Sequence, residues 1–134
     1  MLKLTIPADI ADEIIVQAKQ GAPLEICGIL AGKSDHIEKL YKMTNTDKSN
    51  EHYTMEPQEQ FAAIKNMRSA NTKMLAIYHS HPETPARPSE EDIRLALTPD
   101  VVYIIISVAE PTPAIKGFNI EDNKVTEVHL TIER

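Results

Sequence analysis

The chain of 134 residues is long enough for one hydrophobic core and too short for two. Its composition, 42% apolar and 25% charged with Ile, Leu and Val recurring in blocks, excludes a disordered chain. With 14 basic against 20 acidic residues (net charge −6), 4% aromatics and no Trp, it offers neither a basic run nor a stacking platform for nucleic acid.

The first residues alternate, with Leu2, Leu4 and Ile6 facing one way in a strand. Pro7 opens a helix that places Ile10, Ile14 and Ala18 on one face, and Gly21 and Pro23 end it. Residues 24–32 read as a buried strand and 37–43 as its partner, joined by a turn at Gly32-Lys33-Ser34-Asp35. Residues 44–52 are polar and read as loop. A second helix is expected over 57–70, with Phe61, Ile64 and Met67 on its inner face and Asn71 closing it. Residues 74–78 form a short apolar run leading into His79. Three prolines within 82–88 forbid regular structure there, and 89–97 reads as a third, short helix. Residues 101–108 are apolar on both faces, as in a central strand. Residues 114–120 and 124–131 form a closing hairpin turned at Glu121-Asp122-Asn123. The order β-α-β-β-α-β-α-β-β-β implies a single α/β domain, a mixed sheet flanked by helices.

No repeat or Gly/Ser-rich linker divides the chain. The longest apolar block, 101–109, falls short of the ~20 residues that span a bilayer. The first residues resemble no secretory leader, and the lone Cys27 excludes an internal disulfide and a cysteine-based zinc finger. A cytoplasmic protein that binds neither membrane nor nucleic acid is expected.

Chemistry concentrates in His79-Ser80-His81 and in Ser89-Glu90-Glu91-Asp92. Side chains at i and i+2 of a strand share a face, so both imidazoles can converge on one point. Asp92, in the first turn of the following helix, can reach the same point. Two histidines and a carboxylate are a ligand set for catalytic zinc, whose open position holds a water with a pKa of roughly 7. Each part has a plainer explanation. Histidines at i, i+2 can simply be polar residues at a strand end. Ser89-x-x-Asp92 is also a helix capping box, and the dipole favours Asp92 there anyway. The combined pattern is rare, on the order of one in several thousand chains at ordinary residue usage. A hydrolase also needs a base. Glu25, among Leu24, Ile26, Ile29 and Leu30, is a carboxylate whose burial would be costly, unless it sits at a strand end in water.

Glu25, then His79-x-His81, seven residues, Ser89, two residues and Asp92 resembles the JAMM (MPN-plus) zinc metalloprotease signature at every position. The resemblance implies a JAMM/MPN-type domain over residues 1–134, β-sandwich-like, with His79, His81 and Asp92 as zinc ligands. It implies Glu25 as the base that takes a proton from the attacking water and delivers it to the leaving amine. Ser89 would hydrogen-bond the oxyanion. The segments Glu25-Ile26-Cys27-Gly28-Ile29-Leu30-Ala31-Gly32, Met43-Thr44-Asn45 and Thr98-Pro99-Asp100 are similar to short bacterial members of the Mec type. Those cut the amide after the terminal Gly of a ubiquitin-like sulfur-carrier protein, releasing cysteine. The implied partner is therefore the C-terminal tail of such a carrier. Segments 44–53 and beyond 107 could flank such a tail by strand addition. A metal-free scaffold of the same fold would lack some of these ligands, and a RadC-like role in DNA transactions fits poorly with the acidic charge. Cys27 shares the strand face of Glu25 and reads as a core thiol. His36, His52 and His129 read as surface residues.

Overall fold

The computed structural model describes residues 1–134. The elements are β1 (Lys3–Pro7), α1 (Ala8–Gly21), β2 (Cys27–Lys33), β3 (His36–Met43), α2 (Pro57–Ser69), β4 (Lys73–His81), α3 (Glu90–Arg94), β5 (Val102–Ser107), β6 (Ala114–Glu121) and β7 (Lys124–Glu133). The order and type of the elements match the reading of the sequence.

The strands run β1-β3-β2-β4-β5-β6-β7 and close on themselves. The expected mixed sheet is there. β4 and β5 are parallel, as is β1 with both of its neighbours, and the remaining pairs are antiparallel. Closure rests on one residue pair between β1 and β3, Thr5 with His36, so the barrel is thinnest there.

The two faces of the sheet bury different partners. On one, Leu4, Ile6, Leu30, Tyr78, Ile104 and Ile106 pack on Ile10, Ile14 and Ala18 of α1. On the other, Cys27, Ile29 and Ala31 of β2 pack on Ala63 and Met67 of α2. Beside them Tyr103, Ile105, Phe118 and Ile120 take Ala86 from the proline-rich loop. The odd-numbered positions of β2 and of the end of β4 thus face α2, away from α1. Two glycines permit close approach: a Cβ on Gly28 would overlap the Tyr78 hydroxyl, and one on Gly21 would overlap Ile26 Cγ2. Gly21 stands at the end of α1 for lack of room, since its φ is not positive.

Some boundaries and faces differ from expectation. Leu2 precedes β1 and is exposed. β2 begins at Cys27, so Glu25 lies on its approach and not within it. The inner face of α2 is Ala63 and Met67, while Phe61 is 72% exposed and Ile64 also faces outward. Polar ties set this rotation: Glu59 accepts from Thr44 N at 2.6 Å and from Thr44 Oγ1 at 2.9 Å. Small Ala63 then lets the helix lie close to the sheet. α3 stops at Arg94, and Thr98 N instead donates to Tyr103 Oη at 3.1 Å, which leads the chain out of the helix ahead of Pro99. The closing turn is as read, with Asp122 and Asn123 both at positive φ. No helix is long and apolar enough to cross a membrane.

Candidate metal centre

β4 continues through both histidines, so His79 and His81 project from one face at its C-terminal end. The parallel neighbour β5 holds that end, pairing His79 with Ile105 and His81 with Ser107. Both histidines are buried. α3 delivers Asp92. Its first turn carries a complete capping box, in which Asp92 N donates to Ser89 Oγ at 3.0 Å and Ser89 N donates to Asp92 Oδ2 at 2.9 Å. The box fixes the carboxylate so that Oδ2 lies 3.2 Å from His79 Nε2 and 3.0 Å from His81 Nε2. The two Nε2 atoms are themselves 3.2 Å apart.

That triangle needs a cation. His81 Nδ1 lies 2.9 Å from Pro85 O, which can only accept, so Nδ1 carries the proton and a neutral His81 turns the Nε2 lone pair toward Asp92 and His79. Three electron-pair donors facing one another repel unless a proton or a metal lies among them. Bonds of ~2.0–2.1 Å to a tetrahedral ion would separate donors by about 3.3 Å, close to the observed edges. The nitrogen and oxygen donors suit zinc chemically. Residues 79, 81 and 92 therefore fit the ion that the sequence implied, and their ligand atoms all lie within 4.8 Å of one another.

Register brings in Glu25. Cys27 pairs with His79, and Ser80 N donates to Ile26 O at 3.0 Å, so two residues further on the same face stand Glu25 and His81. Glu25 is buried, and its Oε1 has no hydrogen-bond partner. Burial, together with the Asp92 charge and against that of His81, pushes the carboxyl from 4.5 up to about 7. Asp92 moves the opposite way. Burial would raise it, but the adjoining His79 and His81 imidazoles, when protonated, together with Ser89 N outweigh that and hold it well below the usual carboxylate range. Burial holds the His79 imidazole below its ordinary value, whereas for His81 the Asp92 carboxylate and the Pro85 carbonyl, which favour its protonated form, overcome burial and raise it.

Sequence reasoning gave the segment between β3 and α2 as a polar loop that could flank a bound tail, and missed its support of the site. Asn45 Nδ2 donates to Glu25 O and to His52 O, both at 3.1 Å, and its Oδ1 accepts from Asp47 N at 3.0 Å and Thr54 N at 3.1 Å. Glu25 N donates to Ser49 O at 2.8 Å. The polar loop is thereby ordered and grips the backbone of the candidate base. It also lays the Tyr53 ring on His79, centroids 4.8 Å apart and 25° from parallel. No periodic pattern marks this segment, and the run of polar side chains that suggested a plain loop is what bonds it together. His52 keeps to the surface, 3.0 Å from Asp47 Oδ2. Cys27 is buried, its Sγ 3.9 Å from Met43 O and its thiol pushed up to about 12 by burial, a core thiol as expected.

A groove of about 240 Å³ opens beside the metal ligands. Tyr53, Met55, Ile77, Tyr103 and Ile105 give it apolar walls, and His79 and Asp92 stand among its lining. Ser89 lies outside it, exposed in a polar recess with Glu51, Glu90 and Glu91. Its hydroxyl oxygen accepts the cap bond, leaving its O–H proton free to donate.

Comparison with known proteins gives the family and the fold. Residues 7–120 match the family model described as prokaryotic homologs of the JAB domain. A CysO-cysteine peptidase of Mycobacterium tuberculosis is 36% identical over 132 residues, covering 96% of this chain and 90% of its own. A desampylase of Haloferax volcanii is 34% identical over 112 residues, 78% of this chain and 81% of its own. The solution structure of protein DSY2949 from Desulfitobacterium hafniense superposes with a TM-score of 0.89 at 42% identity, covering 97% of this chain and 92% of that one.

Proposed function

We propose that this protein, which belongs to the prokaryotic homologs of the JAB domain, is a zinc peptidase of the JAMM type that cuts the peptide or isopeptide bond after the C-terminal Gly of a ubiquitin-like sulfur-carrier protein. The observation that carries this reading is the convergence of His79 Nε2, His81 Nε2 and Asp92 Oδ2 beside the unpartnered, buried carboxylate of Glu25. A zinc ion held there would supply a Lewis acid and lower the pKa of a water to ~7. The remaining work falls to side chains. Glu25, buried with its Oε1 unpartnered, takes the proton from the attacking water and gives it to the leaving amine. Ser89 offers its free O–H to the oxygen that becomes negative, while its own N–H holds Asp92. The apolar groove excludes water and takes an extended tail whose last residues are small enough to reach the ligands.

The substrate class rests on the relatives named a CysO-cysteine peptidase and a desampylase. A cytoplasmic setting is supported by the single, buried, unpaired Cys27. A scaffold of this fold has no need of an intact set of Glu25, His79, His81, Ser89 and Asp92.

The test is mass spectrometry of candidate carriers that bear a C-terminal Gly-Gly-Cys extension or a lysine-linked conjugate. Each is incubated with zinc-loaded protein and with a chelator-treated control. Cleavage after the glycine only with metal is the expected result. If no carrier is cut while about one zinc per chain is bound, the substrate class falls and the site stands. If zinc cannot be loaded, the peptidase reading falls with it.

A further inference from the structure

We infer that Ser107 is a positioning residue for the metal centre, acting on His81 through the proline-rich loop; the inference rests on the metal reading above and deepens it. The loop 82–88 carries Pro82, Pro85 and Pro88, which have no N–H to donate. Its one internal backbone bond is Arg87 N to Pro85 O. Such a segment cannot hold its own shape, yet Pro85 O must stay 2.9 Å from His81 Nδ1 if Nε2 is to face the ion.

The anchor comes from the next strand. Ser107 ends β5 directly beside His81 in the parallel register. It is 5% exposed, and its Oγ donates to Thr84 O at 2.6 Å. Ala109 N donates back to that oxygen at 3.3 Å, which fixes the hydroxyl rotor, and Val108 N donates to His81 O at 3.2 Å. Thus one end of β5 holds both the backbone of His81 and the carbonyl preceding Pro85. The adjoining carbonyl, that of Pro85, is the one that orients the imidazole. The second anchor is apolar: Ala86 is buried with Val101, Tyr103 and Ile105. Asn50 Nδ2 also donates to Glu83 Oε1 at 2.9 Å, but that tie holds an exposed side chain, whereas Ser107 holds the backbone next to Pro85. A direct partner such as Pro85 O fixes the tautomer and ring angle of a metal-binding histidine, and losing one commonly costs about 10–100-fold in metal affinity; Ser107 stands one step behind it, so its removal costs less.

Zinc affinity is measured by chelator competition, together with the visible absorption of the cobalt-substituted protein and urea unfolding of the metal-free chain. Ser107→Ala is expected to weaken zinc binding several-fold, up to about 10-fold, the lower end of the cost of losing a direct partner, and to shift the cobalt bands. Ala86→Gly, which loosens the same loop without touching the hydrogen bond, should leave the bands in place. Should Ser107→Ala not fold, Ser107→Cys fills nearly the same space with a much weaker donor and carries the same readings. Zinc affinity within twofold of the parent for the serine variant would overturn the inference, as would identical band shifts in both variants. If the parent itself bound no zinc, the metal reading and this one would fall together; an unaffected serine variant of a zinc-binding parent sinks this one alone.

Discussion

Replacing Glu25 by Gln should stabilise the metal-free protein while disabling it. The Glu25 carboxyl is buried with Oε1 unpartnered, and burial moves it from 4.5 in the open chain to about 7 in the fold. Between those values the folded chain keeps a proton that the unfolded chain has lost. Stability therefore falls as pH rises from 4.5 to about 7, and the whole penalty stands above 7. A gap of that width corresponds to about 3 kcal/mol. Glutamine stays neutral and has nearly the same shape, so the variant escapes the penalty. Its gain over the parent should be under about 1 kcal/mol at pH 5 and about 3 kcal/mol at pH 8.

Urea unfolding of both chains in a chelator at the two pH values measures this directly, because a bound cation would supply the countercharge that the metal-free site lacks. The same variant, loaded with zinc, should lose ~100-fold or more in turnover, the scale of a lost general base. A gain equal at the two pH values, or a loss at pH 8, would refute the account of a strained, buried carboxylate. Near-parental turnover would remove Glu25 from the chemistry.

Asp92→Ala removes one of the three ligand atoms and should weaken zinc binding by more than the loss of an outer partner, over ~100-fold; unchanged affinity in calorimetry would leave Asp92 a helix cap only. Its depressed carboxyl also predicts that the metal-free protein loses stability as pH falls below the ordinary carboxylate range, a loss that Asp92→Asn should blunt in acid titrations followed by circular dichroism. Cys27, buried with its thiol pushed up to about 12, should not react with a disulfide reagent at pH 8 until the chain is unfolded, and rapid labelling of the native protein would contradict that burial. Met67→Ala should cost ~2–5 kcal/mol in denaturant unfolding and Phe61→Ala under ~1 kcal/mol; the reverse order would mean that α2 buries the other face.

The legible part of this protein is what local chemistry repeats. β5 has six buried residues in a row, as β2 does, and both are covered on two faces. His79 and His81 announce themselves because strand geometry puts i and i+2 on one face, and Ser89 with Asp92 because a cap has a fixed spacing. The cap reading and the ligand reading of that pair proved compatible: the backbone bond from Ser89 aims the very oxygen that meets both imidazoles. Glu25 was harder, since its face depends on the register of β2 against β4, which the sequence does not state and the fold supplies.

What stayed hidden has a common physical cause. The rotation of α2 follows from Glu59 reaching Thr44, fifteen residues away along the chain. Tyr53 reaches His79 because one amide, Asn45, spends both donors and both lone pairs on the loop and on Glu25. Ser107 and Thr84 are 23 apart, and neither has a periodic neighbour to mark it. Apolar periodicity records which face a residue shows to the core, and it carries no information about which polar atoms will meet across loops. In this domain the candidate metal ligands lie on regular elements, whereas the groups that aim them lie on the connections or at the ends of elements. The chemistry of the site was therefore readable from spacing, and its support only from the fold.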